Sequence, residues 1–260
     1  MRITHVIKES TATKKKVLAE AAVPTEADVK KFFKIEGSIS ITPDGVDVDG
    51  DVLSLRGPNL VEIPFKFNNV SGVFDVQDYK KLKSLNNFPN QCAYIDISSN
   101  EAMDSLVGGD NIVCEKFIAE YSQLKTLEGC PRAKIYSFEE SSELQTTDGL
   151  QMTDIESINL VGCSSLKVIK NLTEPLGRSI SEHAATSLIS YNPTLPLAGL
   201  VLNAGKKDRL NLKMDLGNDK SLNGKLKPIL MDFNGRGLGV AMELIRTLRD
   251  RGFDGNARFR

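Results

Sequence analysis

A short apolar pattern returns along this chain about every 21 residues, and no other feature narrows the possible folds as much. One copy is Phe74-x-Val76-x-x-Tyr79-x-x-Leu82-x-x-Leu85. The next is Ile95-x-Ile97-x-x-Asn100-x-x-Met103-x-x-Leu106. Phe117-x-Ala119-x-x-Ser122-x-Leu124-x-x-Leu127 follows, one residue shorter, and then Ile158-x-Leu160-x-x-Cys163-x-x-Leu166-x-x-Ile169. Leu53-x-Leu55-x-x-Pro58-x-Leu60-x-x-Ile63 reads as an earlier copy, and Ile189-x-x-Asn192-x-x-Leu195 as a degraded late one.

The second apolar anchors are Leu55, Val76, Ile97, Ala119, Leu160 and Ile189, in steps of 21, 21, 22, 41 and 29 residues. The step of 41 is close to two repeats, so a poorly matching copy is expected around Ile135 to Phe138. The step of 29 calls for an insertion near Ser179 to Ala185. In each copy two apolar residues alternate with polar ones, which makes a short strand with one face inward. The Asn or Cys three residues later falls where the chain turns, and there its side chain can satisfy backbone groups inside the coil. One copy cannot bury its own apolar face; stacked copies bury it together.

The ends depart from the pattern. Pro24-Thr25-Glu26-Ala27-Asp28 predicts a helix start with Thr25 as N-cap, running to about Lys34 and presenting Val29, Phe32 and Phe33. Ile39, Ile41, Val46, Val48 and Val52 alternate with polar residues around Pro43-Asp44-Gly45, as in a hairpin. Leu238 to Arg251 predicts a second helix with Leu238, Met242, Leu244, Ile245 and Leu248 as its buried stripe, stopped by Gly252. Both ends read as caps, because the outermost coil of a solenoid otherwise exposes its core.

The chemistry-bearing residue types are sparse. Cys92, Cys114, Cys130 and Cys163 form no C-x-x-C pair, and His5 and His183 are the only histidines, so zinc-ligand spacing is absent. The thiols are expected as buried small apolar groups in a reducing compartment. A net charge of −1 lacks the basic excess of a dedicated nucleic-acid binder. No apolar run is long enough to span a bilayer, and Met1 to Glu9 lacks the continuous apolar core of a secretory signal. Asp44, Asp47, Asp49 and Asp51 alternate with valines as on a half-exposed strand and miss the calcium-loop pattern. Gly235-Arg236-Gly237-Leu238-Gly239 fits neither a phosphate loop nor a dinucleotide loop and reads as a turn into the last helix. Asn223-Gly224 and Asp148-Gly149 mark turns. No catalytic residue, cofactor or metal is expected.

Several stretches resemble leucine-rich-repeat-like proteins of tailed, T-even-like bacteriophages. They are Gly37-Ser38-Ile39-Ser40-Ile41-Thr42-Pro43-Asp44-Gly45 through Val52, and Leu60-Val61-Glu62-Ile63-Pro64-Phe65 followed by Val70-Ser71-Gly72. Leu124-Lys125-Thr126-Leu127-Glu128-Gly129-Cys130-Pro131 is similar to their repeat signature, and Tyr191-Asn192-Pro193 with Leu195-Pro196-Leu197 to their closing repeat. The tail, from Ala241-Met242-Glu243-Leu244-Ile245 through Gly255-Asn256-Ala257-Arg258, also fits. The middle copies are less regular than in that family, with apparent insertions at 107–116 and 139–154. The resemblance implies an α/β fold: a leucine-rich-repeat-like solenoid with short parallel strands. It further implies a helix-and-hairpin cap at the N-terminus and a helical cap at the C-terminus. The expected divisions are a terminal segment over 1–36, the solenoid over 37–197 and a cap over 198–260.

A second resemblance concerns processing. Some internal proteins of such phages carry an N-terminal capsid-targeting peptide that the prohead protease cuts after Leu-x-Glu or Ile-x-Glu. Leu18-Ala19-Glu20 before Ala21-Ala22 is the matching candidate, with Leu18, Glu20 and Ala21 defining the cut. The tripeptide recurs at 7–9, 60–62, 118–120, 172–174 and 180–182, so its position carries the weight. The resulting expectation is a non-enzymatic phage module for protein–protein interaction. It would be packaged in the virion interior or act in the host cytoplasm, and would bind a host, defence or virion protein rather than a small molecule, membrane or nucleic acid. A structural component of capsid or tail is the alternative. The expected contact segments are 107–116, 139–154 and 177–187.

Overall fold

A computed structural model describes residues 23–55, 59–150, 155–169, 186–203 and 211–258. Its frame is one nine-stranded sheet in which spatial order follows chain order. The strands are β1 (Phe33–Thr42), β2 (Gly45–Ser54), β3 (Phe67–Asp75), β4 (Gln91–Asp96) and β5 (Val113–Ile118). They continue as β6 (Ile135–Ser137), β7 (Ser157–Leu160), β8 (Thr186–Ser190) and β9 (Asn211–Asp215). β1 and β2 pair antiparallel as a hairpin, and every later pairing is parallel. Parallel neighbours need a crossover between them. Here each crossover is a turn of a solenoid of about six turns with few helices.

The repeat anchors occupy the interior. Val76, Ile97, Ala119, Phe138, Leu160 and Ile189 are all buried, as are Leu82, Leu85, Met103, Leu106, Leu124, Leu127, Leu144 and Leu166 on the return path. Phe138 belongs to the turn anticipated around Ile135–Phe138, so the step of 41 resolves into 19 and 22. The segments 107–116 and 139–150 are therefore parts of the coil and not insertions, and 151–154 lie outside the described residues. The first carries buried Ile112 and the start of β5, and the second carries buried Ser141, Leu144, Thr147 and Leu150.

Two corners of the coil repeat with it. Asp78, Ser99, Tyr121 and Glu140 all hold positive φ two residues after an anchor, and Gly162 takes the same place in the next turn. A left-handed residue costs roughly 1–2 kcal/mol when it is not glycine. The return is a rung-to-rung hydrogen bond: these amides donate to the carbonyls of Ser98, Glu120, Glu139 and Val161 at 2.8–3.1 Å. The second corner follows the return leucines. Gly129 and Gly149 have φ of 79° and 94°, and a Cβ there would sit 2.4 Å from Leu106 O and 2.2 Å from Leu127 O of the preceding rung. Glycine at these places is a condition of stacking.

Inside the coil, polar side chains bridge the rungs. Asn100 Nδ2 donates to Val76 O at 3.2 Å and Ile97 O at 2.8 Å. Ser141 Oγ donates to Ala119 O at 2.9 Å and lies 2.8 Å from Ser122 Oγ. Cys163 Sγ reaches Phe138 O at 3.1 Å, and Asn192 Nδ2 donates to Leu166 O at 3.0 Å. This is the role expected for the Asn or Cys after the strand, and serine shares it at Ser122 and Ser141: a buried carbonyl without a partner costs free energy, and these side chains supply one.

The first copy has a different register. Val52 pairs with Phe74 and is fully buried, whereas Leu53 pairs with Asp75 and Leu55 is 38% exposed. The apolar set is Val46, Val48 and Val52, one residue out of step with the expected Leu53 and Leu55, and a one-residue slip exchanges the two faces of a strand. Phenylalanines pack this end: Phe33, Phe65, Phe67, Phe74 and Phe88 form a chain of ring contacts with centroids 5.0–6.1 Å apart.

The terminal elements hold partial surprises. α1 covers only Glu26–Lys30, with Thr25 and Asp28 forming a capping box; Phe33 is already in β1 because its ring belongs to the core. At the other end α2 (Leu197–Asn203), α3 (Lys220–Phe233) and α4 (Ala241–Asp250) pack together. Asn223-Gly224 lies inside α3, where Asp219 caps the helix and overrides the local turn signal. In α4 Leu244 and Leu248 are buried, whereas Leu238 and Met242 are 62% and 72% exposed. The buried stripe is narrower than expected: Leu238 falls in a 3-10 turn before the helix, and Met242 lies on the helix's exposed side. Asn256 closes this end: its Nδ2 donates at 2.9 Å to both Asn192 O and Leu195 O.

Candidate functional site

No group of three or more His, Cys, Asp or Glu among the described residues is placed to hold a metal ion. His5, His183 and the candidate processing residues Leu18, Glu20 and Ala21 lie outside the described residues, as does most of 177–187. The four thiols are free and buried. Cys92 and Cys114 are register partners on β4 and β5. Burial pushes the Cys163 thiol up to about 12, and raises Cys130 as well. Gly235 to Gly239 joins α3 to α4, as read from sequence. No described helix is long and apolar enough to cross a membrane.

What the fold does build is an outward sheet face. Strand alternation turns Phe74, Ile95, Phe117, Tyr136 and Ile158 inward, so their register-matched neighbours face out. One outward row is Asp75, Asp96, Ile118, Ser137 and Asn159; its neighbours crowd it, so Asp96, Ile118 and Ser137 are buried while Asp75 and Asn159 at its two ends are half-buried. The row on the other side is Val73, Tyr94, Lys116, Ile135 and Ser157. Just past the strands come Gln77, Ser98, Glu120, Glu139 and Val161, flanking the inward anchors. On β2, Asp47, Asp49 and Asp51 extend the acidic character to the hairpin.

These carboxylates are held by neutral donors, for five of them from the next turn. Asn69 Nδ2 donates to Asp47 at 2.9 Å, Ser71 Oγ to Asp49 at 2.9 Å, and Val73 N to Asp51 at 2.8 Å. Ser137 Oγ donates to Glu120 at 2.5 Å, and Asn159 Nδ2 to Glu139 at 2.8 Å. Asp75 and Asp96 accept the backbone amides of Gln77 and Ser98 at 3.0 and 2.9 Å, and Tyr94 Oη donates to Asp96 at 3.2 Å. Among the described residues none of these seven carboxylates has an ion-pair partner. Lys116, the cation of the central rows, lies 5.1 Å over the Tyr94 ring. Burial raises the Asp75 pKa, and Asp96 one strand away adds to it. Tyr94 is raised for the same two reasons.

Composition conceals this asymmetry. Residues 23–169 carry 23 acidic and 13 basic side chains, and the remainder carries 11 and 20, so a net charge of −1 is the sum of two opposed regions. The wall formed by the return path is mixed, with Lys80 of one turn paired to Glu101 of the next at 2.9 Å. Near the start of the strands the face dips into a groove of about 510 Å³ edged by Asp47, Asp49, Asn69, Gln91 and Glu115. Of the expected contact segments, 107–116 supplies Glu115 and Lys116 and 139–154 supplies Glu139, whereas the other carboxylates of this face lie outside them. The legible signal was the recurrence of Asp or Glu directly before or after an inward anchor.

The chain matches no protein-family profile, no curated protein and no solved structure.

Proposed function

We propose that this chain is a non-enzymatic binding module of leucine-rich-repeat type, gripping a macromolecular partner with the open face of its parallel sheet. One observation carries the reading: five turns present register-matched outward rows that no described element covers, on a framework locked rung to rung. A rigid, extended wall is how stacked repeats make binding surfaces. The Leu-x-Leu-x-x-Asn spacing around Asn100 and its inward hydrogen bonds support the leucine-rich-repeat assignment. The α1–β1–β2 unit and the α2–α4 cluster then serve as the two caps.

The setting follows from the resemblance to tailed-phage proteins. The chain is packaged through its first 20 residues, cut after Glu20, and delivered to act on a host or defence protein. Intact-mass measurement on purified virions tests this part: the reading requires a mature chain beginning at Ala21. Photo-crosslinking in infected cells tests the binding face. A crosslinker in place of Tyr94 is expected to capture one dominant, saturable protein partner, and one in place of Lys83 on the return path is not. Equal labelling from both positions sinks the sheet-face reading.

A further inference from the structure

Resting on that reading, we propose that the partner presents a lysine- and arginine-rich protein surface to the sheet face. The docking surface is the strip carrying Asp75, Asp96, Glu120 and Glu139 with Tyr94 among them, continued by Asp47, Asp49 and Asp51 on β2.

Four features point to a cationic partner. The carboxylates are fixed in place yet not neutralised: their hydrogen bonds come from amides, hydroxyls and backbone N–H groups. An acid whose partner is neutral keeps its full charge for an incoming cation, and pre-setting its position removes an ordering cost from binding. The same charges on the return wall are mixed in sign, so the field has a direction rather than merely a total. Asp75 and Asp96 also stand side by side in register on adjacent strands, Asp75 half-buried and Asp96 buried, and a cation between them relieves their mutual repulsion. Tyr94 adds a ring face that already attracts the Lys116 ammonium and suits an arginine. Like-charge contact with an acidic surface or with nucleic acid is disfavoured by the same field.

The test uses the full chain and two labelled peptides, one alternating lysine with serine and one alternating glutamate with serine. Binding is read by fluorescence anisotropy at about 50 mM and about 300 mM salt, where screening lengths differ roughly twofold. The face variant combines Asp75→Asn, Asp96→Asn, Glu120→Gln and Glu139→Gln, keeping shape while removing four charges. The control removes the same number from the return wall: Glu101→Gln, Asp104→Asn, Glu128→Gln and Glu143→Gln. The expected result is preference for the lysine peptide, loss of affinity at the higher salt, and roughly tenfold or greater weakening in the face variant alone. Equal weakening in both variants, or no preference between peptides, overturns the proposal. So does salt-sensitive sedimentation of the chain alone as a larger species that the face variant abolishes, since the occupant is then a second copy. Retention by the face variant of the partner crosslinked at Tyr94 also overturns it, while leaving the binding-module reading intact. Failure to crosslink at Tyr94 sinks that broader reading instead.

Discussion

Two polar ladders run the length of this coil, one inside and one outside, and they differ in charge. The inner one uses Asn100, Ser122, Ser141, Cys163 and Asn192, all neutral and all buried. The outer one uses Asp47, Asp49, Glu120 and Glu139 held by Asn69, Ser71, Ser137 and Asn159. Both tie one turn to the next through side chains about 20 residues apart. Buried charge without a charged partner is prohibitively costly, so the inner ladder satisfies carbonyls with amides and hydroxyls. Water solvates the outer ladder, so ionised groups persist there and face outward. One repeating geometry thus stabilises the core on one side and stores un-neutralised charge on the other.

The difference has measurable consequences. Asn100→Ala strips the partner from Val76 O and Ile97 O and should cost about 3 kcal/mol in denaturant unfolding, at roughly 1–3 kcal/mol per buried unpaired group. A loss as small as that of an exposed variant would erase the distinction between the ladders. Ser141→Ala orphans Ala119 O and parts Ser122 from its partner, with an expected loss of about 1–2 kcal/mol. On the outer side Glu139→Gln should stay within about 0.5 kcal/mol of the parent.

Asp75 sharpens the contrast because its effect has the opposite sign. Its folded pKa lies above the unfolded value, so the native state holds the proton more tightly. Its contribution to stability is therefore greatest at low pH and declines as pH rises from the unfolded carboxylate value, about 3.9, through the raised folded value. At neutral pH Asp75→Asn should raise the unfolding midpoint and remove that slope from a pH series of melts. A lowered midpoint at pH 7 would mean that its bond to Gln77 N outweighs the repulsion from Asp96. The inner thiols give a further check. Cys163 and Cys130, raised by burial, should resist iodoacetamide at pH 8 in the folded chain and react once it is unfolded in denaturant.

Much of the coil was readable before any coordinates. The spacing of Val76, Ile97, Ala119 and Leu160 set the pitch, and the 41-residue gap announced the turn that Tyr136 and Phe138 supply. Reading failed where local signals compete with packing. Leu53 and Leu55 look like anchors, but Val52 wins the interior because its pairing with Phe74 places it against the phenylalanine cluster. Asn223-Gly224 looks like a turn, but the cap at Asp219 carries the helix through it. The acidic face escaped notice because no single motif encodes it; its members are scattered through five turns.

The order of the amino acids alone determined that this chain coils, at what period, and which side chains line the bore, because an apolar repeat of fixed length has only its own neighbours to bury against. Tertiary structure alone decided that Asp75 meets Asp96, that Glu139 meets Asn159, and that carboxylates gather on the sheet face while the return wall stays mixed. Those are contacts between successive turns, and their partners are chosen by strand register, which one slipped residue reverses.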